Sequence, residues 1–351
     1  MDYKYQITVG IPVWGVEKYI RRCLLSILNQ DFNDMEVLVI DDCGTDKSIE
    51  IATELANNHP KGHIIRIIHQ PQNMGCWAAR NKVLDEAQGK YIFLIDGDDY
   101  LFDDAIPKLY QKAEETQVEA TYGSVLPVDE YGHPIKDSGV DGINLPDLII
   151  RGEDQLACFA NDHSRKLRLN NFIWNIMLRS DFLKKKHLRF RQTKFWDDVL
   201  FNADMQPLIT SAAFISSLTY HYVIRDNSLS NYQKRDIIAV EEVRQHISNQ
   251  EYLKRQSLTL INKSYFEVRI TKMMRAMFYV ITGALKNEKH LSEPIPYKEY
   301  RDAMRHPLSW KVILCFKRCR FINLMFKLLG VLPSSISVTT IKIIGKIRRL
   351  I

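Results

Sequence analysis

The sequence predicts an α/β fold, a mainly parallel sheet between helices with a helical C-terminal extension, and three observations carry that expectation. Short apolar runs alternate with amphipathic helical patterns over the first 125 residues, as in sheets whose strands are joined by helical crossovers. The runs themselves are rich in Val, Ile and aromatics, the composition of strands buried on both faces. Clusters of Asp close two of them, at the edge where open α/β sheets hold their ligands.

The elements follow in order. Strands are expected at Ile7–Trp14, Glu36–Asp41, His63–His69, Tyr91–Ile95 and Ala120–Val125. Between the first two, Ile20, Cys23, Leu24, Ile27 and Leu28 repeat at helical spacing within Glu17–Gln30. Helices of the same kind fit Asp46–Asn57, Cys76–Gln88 and Asp103–Thr116. From 126 to 152 the pattern loosens around Pro127, Gly132, Pro134, Gly139, Gly142 and Pro146, which reads as a loop or lid. Strand signals return at Phe172–Leu178 and Ala213–Ile224, and residues 236–287 read as helical, with a basic amphipathic stretch over Ser264–Leu285. Pro294 and Pro296 precede a basic tail that Pro333 divides in two.

Composition narrows the class. A chain of 351 residues with 46% hydrophobic and 26% charged residues, 15 Gly and 12 Pro is an ordinary globular protein with room for a large core. The six cysteines form no C-x-x-C pair, so they are expected to be reduced thiols. The N-terminus shows no secretion signal, and no apolar window is long enough to span a bilayer; a cytoplasmic protein is expected. Net charge is +6, unevenly spread. No acid follows Asp302, while ten bases do, which leaves 38 bases against 42 acids, net −4, over residues 1–302. The acidic body argues against a nucleic-acid partner, and the basic, apolar tail suits either an anionic membrane interface or packing on the protein with its bases solvated.

Two nucleotide motifs are missing. No two glycines stand at i, i+2, which excludes the G-x-G-x-x-G dinucleotide turn. Gly10 and Gly15 have P-loop spacing, but Val16 and Glu17 stand where Lys and Ser or Thr are needed.

What the sequence offers instead is carboxylates. Asp41 and Asp42 close the second strand, and Asp96, Asp98 and Asp99, with Gly97 among them to let the backbone approach a ligand, close the fourth. Like charges gathered at one sheet edge need a cation. A divalent Mg²⁺ or Mn²⁺ bridging carboxylates and a bound diphosphate meets that need. Asp46 is expected to open a helix instead.

Four segments in this order, Ile11-Pro12-Val13-Trp14, Val39-Ile40-Asp41-Asp42-Cys43-Gly44-Thr45-Asp46, Asn73-Met74-Gly75 with Ala79-Arg80-Asn81, and Leu94-Ile95-Asp96-Gly97-Asp98-Asp99-Tyr100, resemble the family 2 glycosyltransferases. A second block, Trp174-Asn175, Phe182-Leu183, Leu188, Phe190 and Asp197-Asp198-Val199-Leu200-Phe201, is similar to the later half of the catalytic domain in bacterial members.

The resemblance implies a GT-A nucleotide-binding fold and an inverting, metal-dependent sugar transferase. A catalytic domain over 1–230 would be followed by a helical extension over 231–302 and a basic amphipathic tail over 303–351. The donor would be a nucleotide-sugar, UDP-linked by family frequency, and the acceptor a glycan or lipid-linked oligosaccharide of bacterial surface polysaccharide synthesis. The tail itself lies beyond the resemblance; placed on the inner face of the plasma membrane, it would suit an enzyme whose acceptor is a lipid-linked oligosaccharide.

By the same resemblance, Asp42 hydrogen-bonds the base and Pro12, Val13 and Trp14 line its pocket. Arg80 meets the nucleotide or its diphosphate, Asp96 faces the ribose, and Asp98 holds the metal, with Asp99 as a support or a helix start. Asp198 is the preferred general base; Asp197, standing where relatives usually carry Glu, is the alternative, and both could instead cap the helix beginning at Val199. Cys43-Gly44, Gly97 and Trp14-Gly15 depart from the usual pattern without touching a charged group. The segment His221-Tyr222 through Arg225, Ser228 and Ser230 is similar to one that closes over diphosphate or acceptor, with His221 itself expected to be a packing residue. Two rivals stand beside this reading. One is a catalytically inactive nucleotide-sugar-binding or scaffold protein of the same fold. The other is a sugar nucleotidyltransferase, for which the glycine- and arginine-rich N-terminal loop is missing.

Overall fold

The computed structural model describes residues 2–135, 144–161, 169, 172–225 and 235–351. It comprises two compact units, Met1–Ala160 with Ser164–Arg225, and Asn161–His163 with Asp226–Ile351.

The first unit is built on one sheet. Strand β1 (Tyr5–Val13) runs parallel between β2 (Met35–Asp41) and β4 (Gly89–Leu94), and β3 (Ile65–His69) extends the parallel set beyond β2. Strand β8 (Ile176–Arg179) then joins β4 to β6 (Ala120–Val128), antiparallel to both. Strand β9 (Ser211–Val223) lies parallel to β6 and carries β5 (Tyr100–Leu101) and β7 (Leu148–Arg151) as antiparallel neighbours.

Alternation along β1 shows why helices cover both faces. Ile7, Val9, Ile11 and Val13 enter a core shared with α1 (Ile20–Leu28), α2 (Ser48–Asn58) and α4 (Ala105–Thr116). On the opposite face α3 (Cys76–Glu86), α5 (Gln155–Ala160), α6 (Ser180–Lys185) and α7 (Asp197–Met205) close a second core around Val83, Phe182, Phe201 and Phe214. Gly10 sits where α3 comes nearest: a Cβ there would lie 2.3 Å from Val83 Cγ1. Only glycine admits that approach.

The expected strands and helices of residues 1–125 form with shifted ends. A 3₁₀ turn, Gly62–Ile64, precedes β3, and Phe172–Asn175 precedes β8 as a turn in which Asn175 takes φ 60°. The two described ends of the segment expected to be a loop over 126–152 are ordered as strands: β6 runs on to Val128, and β7 forms from Leu148-Ile149-Ile150-Arg151. Four apolar-rich residues between Pro146 and Gly152 were enough to pair with β9. Gly139, Gly142, Ser228 and Ser230 lie outside the described residues.

In the second unit the helical stretch after residue 236 divides into α8 (Val240–Leu258) and α9 (Phe266–Lys286), followed by α10 (Tyr297–Ala303), α11 (Trp310–Leu314), α12 (Arg320–Leu329) and α13 (Ser334–Ile347). Helices on both sides of Asp302 share one core, with Val243, Met277, Ile281, Tyr300, Phe326, Val338 and Ile341 buried together. Polar links hold the later helices in place. Asn323 donates to Thr271 Oγ1 at 2.7 Å and pairs with His306 Nε2 at 3.0 Å, while buried Lys254 donates to the carbonyls of Ala303 and Arg305. No described helix is long and apolar enough to cross a membrane.

Candidate active site

The carboxyl ends of β1, β2 and β4 bring the expected carboxylates to one edge of the first unit, as parallel pairing of these strands requires. Asp42 is buried and oriented. Its Oδ1 accepts from Gln70 Nε2 (2.6 Å) and Met74 N (2.7 Å), and Oδ2 accepts from Gly75 N (2.8 Å). The carboxylate therefore hangs the loop between β3 and α3 on the end of β2, and Oδ2 keeps lone-pair capacity for a further donor. Beside it, Asp41 accepts from Cys43 N and faces His69 Nδ1 at 2.7 Å.

Trp14 is 58% exposed at the end of β1. Val13 is different: its side chain is 1% exposed and packed in the core, so it offers the edge only backbone, where its carbonyl accepts from Asp42 N at 3.0 Å. The expectation that the Val13 side chain lines a pocket is corrected by strand alternation. Pro12, on the other parity, has its carbonyl beside Gly97. A Cβ on it would meet Val16 at 3.1 Å and Ile20 at 3.6 Å, so this glycine admits the start of α1 to the sheet edge. Asp46 accepts from Ser48 N and from Glu17 N, opening α2 and tying it to the loop before α1.

Around β4 the acids divide their tasks. Asp99 is buried and accepts from Tyr220 Oη (2.6 Å) and Val223 N (2.8 Å), which fastens the strand end to β9. Asp98 pairs with Arg225 at 2.6 Å, and Asp96 with Arg80 at 2.7 Å. Arg80 is buried, and its second nitrogen reaches Asp197 at 2.8 Å. It thus bridges the end of β4 to the start of α7 and is not a free cation at the surface; its Nε has no partner.

That bridge distinguishes the two adjacent aspartates of α7. Asp197 is held by Arg80. Among the described residues, Asp198 accepts from Val199 N alone, and burial, reinforced by Asp197 and Asp96 against the opposing Arg80, pushes its pKa up to about 7. Trp196 immediately before them takes φ 62°, a left-handed conformation unusual for a bulky residue.

Carboxylate oxygens of Asp96, Asp98 and Asp99 lie within 4.8 Å of one another. Burial and the neighbouring Asp96 hold Asp98 above the usual carboxylate range even with Arg225 beside it, and burial, Asp98 and Asp96 hold Asp99 higher still. Hard oxygen donors short of positive charge fit a divalent cation. Asp98 and Asp96 are the ones with an oxygen to offer, since Asp99 is spent on Tyr220 and Val223.

The sequence reading did not single out the aromatic wall beside these acids. Trp174 stacks on Tyr220 (4.8 Å) and Tyr222 (5.2 Å), and Phe172 on Trp174 (5.0 Å). Burial together with Asp99, Asp98, Asp96 and Asp198 raises the Tyr222 hydroxyl pKa, so that ring stands among all four carboxylates. The available signal was the i, i+2 spacing of Tyr220 and Tyr222 on one strand face. His221, on the other face, is a packing residue, stacked on Tyr100 (4.1 Å) and Phe102 (3.7 Å), with its pKa lowered to about 4 by burial and Arg22.

Known proteins resemble this chain along much of its length. The sequence model of a family described as glycosyl transferase family 2 matches residues 8–169. The glycosyltransferase GlyA of Streptococcus pneumoniae is 30% identical over 234 residues, 64% of this chain but 31% of that protein, so the chain spans under a third of that relative's length. The uncharacterized glycosyltransferase EpsJ of Bacillus subtilis is 24% identical over 310 residues, 86% of either chain. In three dimensions residues 1–349 of Staphylococcus aureus TarS, crystallised with UDP, superpose with a TM-score of 0.69 at 15% identity, covering 96% of this chain and 90% of that one. The likeness to TarS shows the fold, a GT-A fold with a helical C-terminal region.

Proposed function

Through residues 8–169 the chain belongs to glycosyl transferase family 2, and on that premise we propose that it transfers a sugar, with inversion, from a UDP-linked donor to a hydroxyl of a glycan or lipid-linked acceptor. The setting would be bacterial surface polysaccharide synthesis at the inner face of the plasma membrane. One observation carries the reading: Asp198 has a pKa near neutrality and, among the described residues, no cationic partner at hydrogen-bond distance, while every neighbouring carboxylate is engaged.

Asp198 takes the proton of the acceptor hydroxyl as its oxygen bonds to the anomeric carbon. The bond from that carbon to the diphosphate breaks on the opposite side, releasing the nucleoside diphosphate. A base of pKa near 7 is half deprotonated at neutral pH and still basic enough to help. Arg80 holds Asp197 in place and so positions Asp198 beside it. Asp42 and Trp14 supply an acceptor and a ring for the base, and UDP in TarS supports uridine as that base. Tyr222 and Phe172 offer aromatic faces to an acceptor sugar. Asp98 and Asp96 would hold a divalent cation, as the Mn²⁺ of a mannosyltransferase of the same fold supports; when bound it supplies charge to the departing diphosphate.

The test is thermal unfolding with UDP, GDP, CDP and dTDP, with and without Mn²⁺, on wild type and Asp98→Ala. Nucleotide at 100 times its Kd stabilises by about 2.7 kcal/mol. UDP should raise Tm only with metal, and Asp98→Ala should remove the gain. No response to any nucleotide would favour a scaffold that has kept the fold and lost its donor.

A further inference from the structure

We propose that the outer face of α11–α13 docks on an anionic phospholipid bilayer, with a lipid phosphate seated in a basic cavity between the C-terminal end of α10 and α12. The inference takes only its membrane setting from the reading above and stands on residues that the reaction does not use.

The later helices have two apolar sides, and packing consumes one of them. In α12, Asn323, Phe326 and Leu329 are buried, while Phe321, 85% exposed, and Leu328 stand two turns apart on a different side. In α13, Val338 and Ile341 are buried, while Ile336, Ile343 and Ile347 recur outward at i, i+7 and i+11, the last 77% exposed. Trp310 and Leu314 repeat the pattern at i, i+4 in α11. Single exposed apolar residues are ordinary. A surface helix in water nevertheless keeps its outer stripe polar, and three successive helices here do not.

Charge selects the occupant. Ten bases and no acid follow Asp302. Among the described residues, Arg305 and Lys342 are the tail bases that reach a carboxylate, Asp302 at 3.1 Å and Glu288 at 2.8 Å. A second copy of this face would bring the same charge, and a nucleic acid has no use for isoleucines at helical spacing. A bilayer of anionic lipid offers both hydrocarbon and phosphate.

The cavity supplies an independent observation. It encloses about 330 Å³ and is lined by Arg301, Arg305, His306, Lys327, Gly330 and Val331. Arg301 and Arg305 share the one carboxylate of Asp302, and burial lowers the pKa of His306 to about 4. With Lys327 added, the lining keeps a net positive charge. Exposed Val331 belongs to the cavity wall, and Lys327 precedes Leu328 of the α12 stripe. Phosphate seat and apolar stripe therefore both draw on the last turn of α12 and the residues just after it.

Flotation of the full chain with vesicles tests this, comparing neutral phosphatidylcholine with the same lipid holding roughly one-third phosphatidylglycerol. Wild type should float with the anionic vesicles and release as salt rises. Phe321→Glu and Ile347→Glu, at positions that bear no core packing, should each lower partition about tenfold. Arg305→Gln with Lys327→Gln should lower the preference for anionic over neutral lipid by about tenfold. Unfolding midpoints and circular dichroism identify a variant that fails to fold, and the salt arm on wild type decides the matter without any variant. Absence of binding to anionic vesicles overturns the proposal. So does full binding by properly folded Phe321→Glu, a concentration-dependent dimer that Phe321→Glu abolishes, or capture of inorganic phosphate without any vesicle binding. Flotation needs no donor, so loss of UDP response and loss of lipid binding report separately on the two readings.

Discussion

Two adjacent aspartates of identical chemistry are given different fates by one arginine. Arg80 ties Asp197 down at 2.8 Å and leaves Asp198, whose pKa burial raises to about 7. A carboxyl whose folded pKa lies above its unfolded value of about 3.9 binds extra protons in the native state, so its contribution to stability is full below pH 4 and is lost as pH rises through 7. Asp198→Asn is therefore expected to raise Tm relative to wild type at pH 8 and not at pH 4, while lowering kcat by about 10²–10⁴-fold. Unfolding scans across pH and initial rates check the two halves; a variant that is destabilised at pH 8 contradicts the burial argument. The wild-type rate should climb with pH to a plateau above 7. At this scale the carboxylates were legible from sequence, because like charges gathered at the ends of buried strands demand donors or a cation to offset them. Their partners were not. Nothing in the spacing says that Arg80 reaches residue 197, or that Asp99 serves Tyr220, because those pairings are made by the fold.

Elements tell a similar story, with close contacts in place of charges. Residues 1–125 declared their strands and helices through periodicity, and β1 and α1 lie where expected, trimmed at the ends. Strand β7 escaped because four residues between Pro146 and Gly152 are too few to show a period, and β5 because two residues show none. The glycine that lets α3 lie on β1 was equally silent. Gly10→Ala is expected to destabilise by about 1–3 kcal/mol through overpacking, because its Cβ would fall 2.3 Å from Val83 Cγ1. Adding Val83→Ala frees the space and should recover part of that loss, a coupling that a double-mutant cycle in urea measures. Strictly additive losses would mean that the helix backbone shifts instead.

At the scale of the whole molecule the chain holds two separate kinds of core. One is a sheet wrapped on both faces, the other a packing of helices from Ile238 to Ile341. A unit with its own core folds alone. Residues 1–225, produced without the rest, are expected to unfold in a single transition and to gain Tm from UDP with Mn²⁺ as the full chain does. A molten, unresponsive fragment contradicts this. The sequence divided the second unit at Asp302, following a change in charge. The structure unites both sides of that point, because helix packing follows the buried apolar residues, which both sides supply to one core, and not the charge.

The placement of the tryptophans has a practical consequence. Of the five in the chain, Trp174 is buried against tyrosines, whereas Trp14 and Trp310 are exposed in good part, one beside the expected base pocket and the other on the face offered to lipid. Each is a fluorophore at one of the two contacts. A nucleotide stacking on Trp14 should quench emission, and a bilayer receiving Trp310 should shift it to the blue. Trp14→Phe and Trp310→Phe assign the two signals, so both events can be followed by light, in real time, on unlabelled protein.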